Sequence, residues 1–286
     1  MAHGAHHHHH GGEQSFDWQA MADSVELDGL IVLPLLDDVM KDVGAHLHLS
    51  EVQHVLDVGA GPGVIAGALA AHMPRARVTA IDSSPEMLAR AAERAGSTRV
   101  KKRLSFVVAD LDAPLPPLEP AELIVASMVL HHVADPVASL RRLHELLVPG
   151  GVLVMLEFAG PPAVLPPDDP MLQGGAWTRL ERAAAGVIRE RLGLDPWTLD
   201  WPSMLTRAGY ADVRDRTRAA YHSAPLDTDG RRWIAKHVNR GLSMAGERIP
   251  ATDLAPLQEL ADSAPVRRDL FLRAERRVLM ARRSLF

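Results

Sequence analysis

The segment HVLDVGAGPGV, residues 54–64, places an aspartate inside an apolar run and then sets Gly59, Gly61 and Gly63 at alternate positions. Glycines let backbone approach a ligand closely, and a helix starting behind them presents free N–H groups, so this segment is suited to cradling a small ligand. Two patterns compete for it. The dinucleotide form, G-x-G-x-x-G/A, is met by Gly61, Gly63 and Ala66, but the set that begins at Gly59 has Val64 where the last glycine belongs. The other form is G-x-G-x-G with an acid two residues upstream, met by Asp57, Gly59, Gly61 and Gly63, with Ala60 between the glycines. Asp57 would be costly to bury without partners, so it is expected to hold the loop amides or to meet a ligand ammonium. Further along, the pair His131 and His132 offers imidazoles that titrate near neutral pH and can take a proton from a substrate. Glu157 is a second polar candidate for the same rim, although the plainer expectation is a solvated strand end. Trp18, Tyr221 and His222 are further candidates for contact with a substrate. His46, His48, His72, His144 and His237 show no ligand spacing, so no metal site is expected.

These residues need a scaffold, and the hydrophobic pattern supplies one. Nearly all-apolar runs at 54–58, 77–82, 104–109, 122–128 and 151–158 alternate with helical stretches, the mark of βαβ units around a parallel sheet buried on both faces. Ser84 before Pro85 and Asp135 before Pro136 mark two helix starts, each with a capping side chain ahead of a proline at the first helical position. Upstream, residues 15–48 read as an amphipathic helix, with Leu36, Val39, Met40 and Val43 on one face and Asp37, Asp38 and Asp42 on the other. After residue 160, PPAVLPPDDP is a proline-rich connector. It leads to helices near 176–192 and 201–208, then to strands at 211–221 and 275–283. Between those strands lie helices near 230–244 and 252–262, expected to cap the carboxyl ends of the strands. The arginine-dense RRDLFLRAERRVLMARR reads as an edge strand whose charges discourage edge pairing.

Composition bounds the function. The chain has 286 residues, 47% hydrophobic and 23% charged, which is ample for a large core. A net charge of -5 argues against a nucleic-acid partner. No cysteine is present, which removes disulfides and thiolate chemistry. No apolar run reaches the roughly 18 residues of a membrane span, and a cytoplasmic location is expected. The histidine-rich residues 1–12 read as an expression tag. Arginine far outnumbers lysine, which stands only at 41, 101, 102 and 236, a usage that looks like that of a high-GC bacterial genome.

With Asp57 and its glycines, Asp82 ending the second strand in TAIDSSPEML, Asp110 in VVADLD after the third, SMVLHHV after the fourth, and LLVPGGVL before the fifth, the chain resembles the class I S-adenosylmethionine-dependent methyltransferases over roughly residues 15–160. The resemblance implies a doubly wound, Rossmann-like α/β fold with a seven-stranded sheet, mostly parallel with the last strand antiparallel, and an added helical cap. It divides the chain into the tag at 1–12, an N-terminal helical lid at 13–50, a cofactor-binding core at 51–160, and at 161–286 a connector, cap helices and the last two strands. It implies S-adenosylmethionine as cofactor and S-adenosylhomocysteine as product. Asp82 would accept both ribose hydroxyls, since Ser83 and Ser84 already serve the helix start behind it; Asp110 would accept from the adenine amino group, and Met87 and Leu111 would sandwich the ring. Ser83, Ser127 and His132 would stand on the cofactor side. His131 maps onto the place where plant phenolic O-methyltransferases carry a base. The implied activity is methylation of a small molecule, oxygen favoured, in natural product biosynthesis. The alternative is a protein of this fold that binds the cofactor and catalyses a non-methylating reaction such as a cyclisation. A nicotinamide oxidoreductase is disfavoured, because it leaves Asp110 and the proline-glycine-glycine segment without a role. The sequence leaves open whether the chain forms a homodimer through the inserted helices.

Overall fold

The five apolar runs form the expected parallel strands. In the computed structural model, which describes residues 17–96 and 98–285, these are β1 (His54–Val58), β2 (Arg77–Asp82), β3 (Leu104–Val108), β4 (Ala121–Ser127) and β5 (Leu147–Phe158). With β6 (Ala211–His222) and β7 (Leu272–Arg282) they make one sheet in the order β3-β2-β1-β4-β5-β7-β6. β1 to β5 are mutually parallel, and β7 runs antiparallel to both β5 and β6. The strand order turns back between β1 and β4, which is where open α/β sheets bind ligands, beyond the carboxyl ends of the strands. The tag at 1–12 and residues 13–16 of the expected lid lie outside the described residues.

The crossovers are α2 (Val64–His72), α3 (Pro85–Gly96) and α4 (Pro136–Leu146). Their starts follow from local chemistry. Ser84 Oγ accepts the Met87 N–H at 3.1 Å, and the Asp135 carboxylate accepts the Ala138 N–H at 3.0 Å, each satisfying a donor that the first helical turn leaves unpaired.

The long helix α1 (Trp18–Gly44) buries Leu36, Val39, Met40 and Val43 against the sheet and α2. Its Leu27 and Ile31 pack instead into a separate cluster with α6 (Ala176–Leu192), α8 (Thr228–Ala245) and α9 (Ala251–Ser263). α1 thus lies between the sheet and the cap, one apolar face turned to each. A short helix, α5 (Pro170–Gln173), leads into the cap, and Arg179 of α6 ties it together by donating to both carboxylate oxygens of the buried Asp253 at 2.6 and 2.9 Å. Burying side chains such as Leu180, Ile234, Val238 and Leu257 contributes about 1.5–3 kcal/mol each. α7 (Trp201–Arg207) precedes β6 and places the fully buried Trp201 on the opposite face of the sheet.

Two expectations are corrected. The proline-glycine-glycine segment is expected from the sequence to precede the fifth strand, but β5 already begins at Leu147 and contains it. It forms an irregularity where pairing with β4 jumps from Ala121–Leu147 to Leu123–Val152. The C-terminal strand is expected at an edge; β7 instead lies between β5 and β6, and the edges are β3 and β6. Its consecutive Val278, Leu279, Met280 and Ala281 are all buried, which is the pattern of a strand covered on both faces. The solvent-facing charges of a sheet edge belong to β6, where residues 214–217 are exposed.

Candidate functional site

The chain leaves β1 through Gly59 at φ +67°, where any Cβ would run into the Val129 side chain. Gly63 begins α2 at φ +74°, with space for a Cβ only 2.8 Å from that of Ala91. Between them, the Ala60 N–H donates to the Ile81 carbonyl at 2.9 Å, and the Gly61 N–H donates to Asp82 Oδ2 at 2.8 Å. Asp82 Oδ1 accepts the Ser84 N–H at 2.9 Å. The carboxylate at the tip of β2 is therefore held from the glycine loop on one side and from the start of α3 on the other. Each oxygen keeps acceptor capacity for a ligand. Val25 of α1 lies close over Gly61, so the lid helix covers the loop.

Asp57 is buried within β1, and its Oδ2 has no hydrogen-bond partner. Burial pushes its carboxyl up to about 7; the Ala66 backbone N–H opposes that shift and the charge of Asp82 adds to it.

Beyond the strand ends opens a cleft of about 260 Å³. Of the residues expected at the site, Gly59, Asp82, Ser83, Asp110, Leu111 and His132 line it. Ala60, Asp57 and Met87 are buried and do not line it. Ser127 ends β4 just before the turn that carries His131 and His132. Asp110 Oδ1 accepts the Asp112 N–H at 2.9 Å, and Asp112 Oδ1 accepts the Ala134 N–H at 2.8 Å. That second bond pins the histidine turn to the loop after β3. Asp112, Ala109, Val129 and Val133 also line the cleft and were not singled out in the sequence. For Asp112 the D-L-D pattern was the available signal, since an aspartate two residues on from another is suited to a local turn.

His131 and Glu157 form the tightest polar contact near the cleft. Glu157 Oε2 lies 2.7 Å from His131 Nδ1, and Oε1 accepts the Leu130 N–H at 3.1 Å. Both side chains are buried, Glu157 completely. The expectation of a solvated strand end at Glu157 is overturned. The carboxylate has moved inward because it finds two donors on the turn after β4, and a buried charge persists only with such partners. With Nδ1 engaged, Nε2 is the nitrogen of His131 left to meet a substrate. His132 packs its ring 4.1 Å from that of His131 and opens on the cleft. Desolvation, then the neighbouring His131, pushes the pKa of His132 down to about 4, so it is neutral at physiological pH. Met128, at φ +54°, supplies the sharp bend that turns the chain from β4 into this segment.

The structure does not gather the other three candidates around the cleft. Tyr221 is 60% exposed on the edge strand β6, its ring 6.1 Å from that of Phe271. His222 Nε2 is hydrogen-bonded at 2.9 Å to the Ile31 carbonyl, which anchors α1 to β6. Trp18 is 44% exposed at the first residue of α1. Conversely, Phe158 sits 4.7 Å from the His131 ring and 4.7 Å from Trp197, with the Arg189 guanidinium over Trp197. Nothing in the local sequence pattern links positions 131, 158 and 197. Among the described residues no group of three or more histidine or acidic side chains could hold a metal ion, and no helix is long and apolar enough to cross a membrane.

Comparison with known proteins adds an independent line. Residues 56–153 match the family described as a methyltransferase domain. A trans-aconitate 2-methyltransferase from Streptomyces coelicolor is 32% identical over 232 residues, covering 79% of this chain and 68% of that protein. The protein of the same name from Streptomyces avermitilis is 40% identical over 99 residues, a segment that spans only 35% of this chain and 36% of that relative. Among solved structures, an O-methyltransferase family protein from Burkholderia thailandensis superposes with a TM-score of 0.51 at 14% identity, covering 93% of this chain and 59% of that one. The [4+2]-cyclase SpnF superposes equally well, at a TM-score of 0.51 and 19% identity over 87% of this chain and 82% of that one. Likeness at these identities is likeness of fold.

Proposed function

The chain belongs to the class I S-adenosylmethionine-dependent methyltransferases, and from that premise we propose that it methylates a hydroxyl oxygen of a small molecule, with His131 as the base and Glu157 as the residue that orients it. The observation that carries this reading is the buried Glu157–His131 pair beside the cleft lined by Gly59, Asp82 and Asp110.

The enzyme's cofactor is S-adenosylmethionine, and the residues of the cleft fit it. The partnerless Asp57 Oδ2 is a carboxylate available to a nearby ammonium. Asp82 retains lone pairs that would accept the two ribose hydroxyls, Asp110 would accept from the adenine amino group, Leu111 and Met87 would flank the ring, and Ser83 would stand on the cofactor side. Bound there, the cofactor would supply an electrophilic methyl group on a sulfonium, with a neutral thioether as the leaving group for an attacking acceptor oxygen.

Everything else falls to this chain's side chains. Glu157 accepts from His131 Nδ1–H and so sets the tautomer in which Nε2 is free to take a proton. That proton must leave a hydroxyl acceptor as its oxygen attacks, and a positioned imidazole contributes about 10²–10⁴-fold to such a step. α1, which packs on the cap helices and lays Val25 over Gly61, would shield the cofactor end of the cleft from bulk water.

A second reading is supported by the Streptomyces relatives, whose names specify transfer to trans-aconitate. A carboxylate acceptor carries no proton to remove, and His131 would then be dispensable for transfer. Natural-product tailoring rests on composition alone, on the excess of arginine over lysine.

One experiment separates these readings. Phenols, aliphatic alcohols and trans-aconitate are incubated with labelled S-adenosylmethionine, and products are weighed by mass spectrometry for wild type and His131→Gln. Gain of one methyl on a hydroxyl, lost in His131→Gln while S-adenosylhomocysteine still binds, is the expected outcome. Methylated trans-aconitate with full activity in the variant establishes the second reading instead. A product of unchanged mass, or one that has lost water, refutes methyl transfer.

A further inference from the structure

Four arginines stand in β7, and three of them are ion-paired: Arg273 with Glu275, Arg277 with Asp215 and Arg282 with Asp212. Arg276 is the exception. Among the described residues its one hydrogen bond is from Nη1 to the carbonyl of the adjacent Glu275 at 2.8 Å, and its Nε is buried with no partner at all.

Its place in the fold is specific. Arg276 is the cross-strand partner of Phe158, the last residue of β5, whose ring packs at 4.7 Å on His131. It therefore lies at the carboxyl-terminal end of the parallel strands, where the sheet meets α1 and α8. The charges that act on it come from all three: Glu157 of β5, Asp28 of α1 and Arg240 of α8. Neither acid pairs with it. Glu157 is committed to Leu130 and His131, while Asp28 accepts from Trp233 Nε1 at 2.7 Å and from Arg240 at 3.1 Å. Burial pushes the guanidinium's pKa down, yet an arginine keeps its charge. A partly buried guanidinium whose Nε is cut off from water and whose charge has no counter-ion is unfavourable, and its remaining donors are met best by a planar carboxylate.

We propose that Arg276 binds a carboxylate on the methyl acceptor, so that the substrate is a hydroxy acid with its anionic end at Arg276 and its hydroxyl at His131. This rests on the base-assisted reading above and extends it to the substrate class.

The test is a binding measurement on the full chain loaded with S-adenosylhomocysteine. 4-Hydroxybenzoate, 3-hydroxyphenylacetate and citrate are each titrated calorimetrically against the corresponding neutral methyl ester, with wild type, Arg276→Met and Arg276→Lys. At least one acid should bind wild type about tenfold or more tightly than its ester, as expected for a charge-assisted pair. Arg276→Met should erase that ratio while leaving ester affinity and S-adenosylhomocysteine affinity unchanged, and Arg276→Lys should restore part of it. Three results overturn the proposal: no acid binding better than its ester in wild type, a ratio that survives Arg276→Met, or a loss of S-adenosylhomocysteine affinity in that variant. The last would place the arginine at the cofactor. Failure of the base reading is seen separately, as His131→Gln turning over at the wild-type rate while the acid-to-ester ratio persists.

Discussion

Glu157 Oε2 lies 2.7 Å from His131 Nδ1 while its other oxygen accepts the Leu130 N–H, so one buried carboxylate fixes both the imidazole and the turn that carries it. Glu157 stands near the end of β5 and His131 on the turn that follows the adjacent parallel strand β4, 26 positions apart in sequence. Each alone is ambiguous. Together they form a carboxylate–imidazole pair, an arrangement that sets the tautomer and stabilises the imidazolium formed on proton transfer.

The pair can be tested without deleting a ring or a hydrogen bond. Glu157→Gln keeps the volume and can still accept the Leu130 N–H, but its amide group would donate to His131 Nδ1 and force the proton onto Nε2, where it blocks base function. Turnover on a hydroxyl acceptor should fall about 10–100-fold, as is typical when such an orienting partner is lost. Calorimetry with S-adenosylhomocysteine should give an unchanged affinity. A parallel loss of cofactor affinity would assign the pair to the cofactor pocket.

Asp82 couples two elements through Gly61 and Ser84. Asp82→Ala should weaken S-adenosylhomocysteine binding by about 1–3 kcal/mol, the range for losing hydrogen bonds to a charged acceptor. A thermal melt of the free protein should fall as well, because the Gly61 N–H loses its partner. Unchanged affinity with a lowered melting temperature would leave Asp82 as a loop anchor and remove it from the ribose.

Much of this arrangement was legible in the sequence because its signals are local. Alternating apolar runs, the Ser84-Pro85 and Asp135-Pro136 helix starts and the spacing of Gly59, Gly61 and Gly63 each depend on a few consecutive residues, and all appear where expected. What was missed depends on pairing between distant segments. Glu157 reads as a solvated strand end until β5 is laid beside β4 and the histidine turn folds over it. β7 reads as an edge from its arginines, although Val278 to Ala281 carry the run of a covered strand. The isolation of Arg276 could not be seen either, since it follows only once Glu157 and Asp28 are committed to donors on distant segments.

The glycine loop makes a stability prediction with an internal control. Gly63→Ala puts a Cβ 2.8 Å from Ala91 in a backbone at φ +74°, and should cost about 1–3 kcal/mol from strain alone. Gly67 lies four residues later inside α2, where an added methyl would meet nothing within 4 Å, so Gly67→Ala should stabilise by up to about 1 kcal/mol through helix propensity. Thermal melts of the two variants should shift in opposite directions. Shifts of the same sign would mean that α3 moves away from the loop readily.

Asp57 ties the cofactor site to pH. In the folded chain its carboxyl titrates near 7, against an ordinary value of 3.8, because burial disfavours the charged form. The folded state therefore binds this proton more tightly than the unfolded state, and stability falls as pH rises between those two values. Below about pH 4 the contribution is fully present; above about pH 7 it is gone and the dependence flattens. Asp57→Asn should remove this slope from a plot of melting temperature against pH. An ammonium bound at Asp57 favours the ionised form, so S-adenosylhomocysteine should bind more tightly as pH rises toward 7 and should release a proton when it binds below that pH. Calorimetry in two buffers of different ionisation enthalpy reads that proton directly. Equal heats in both buffers at pH 6 would mean that Asp57 stays protonated in the complex and does not meet the ligand's ammonium.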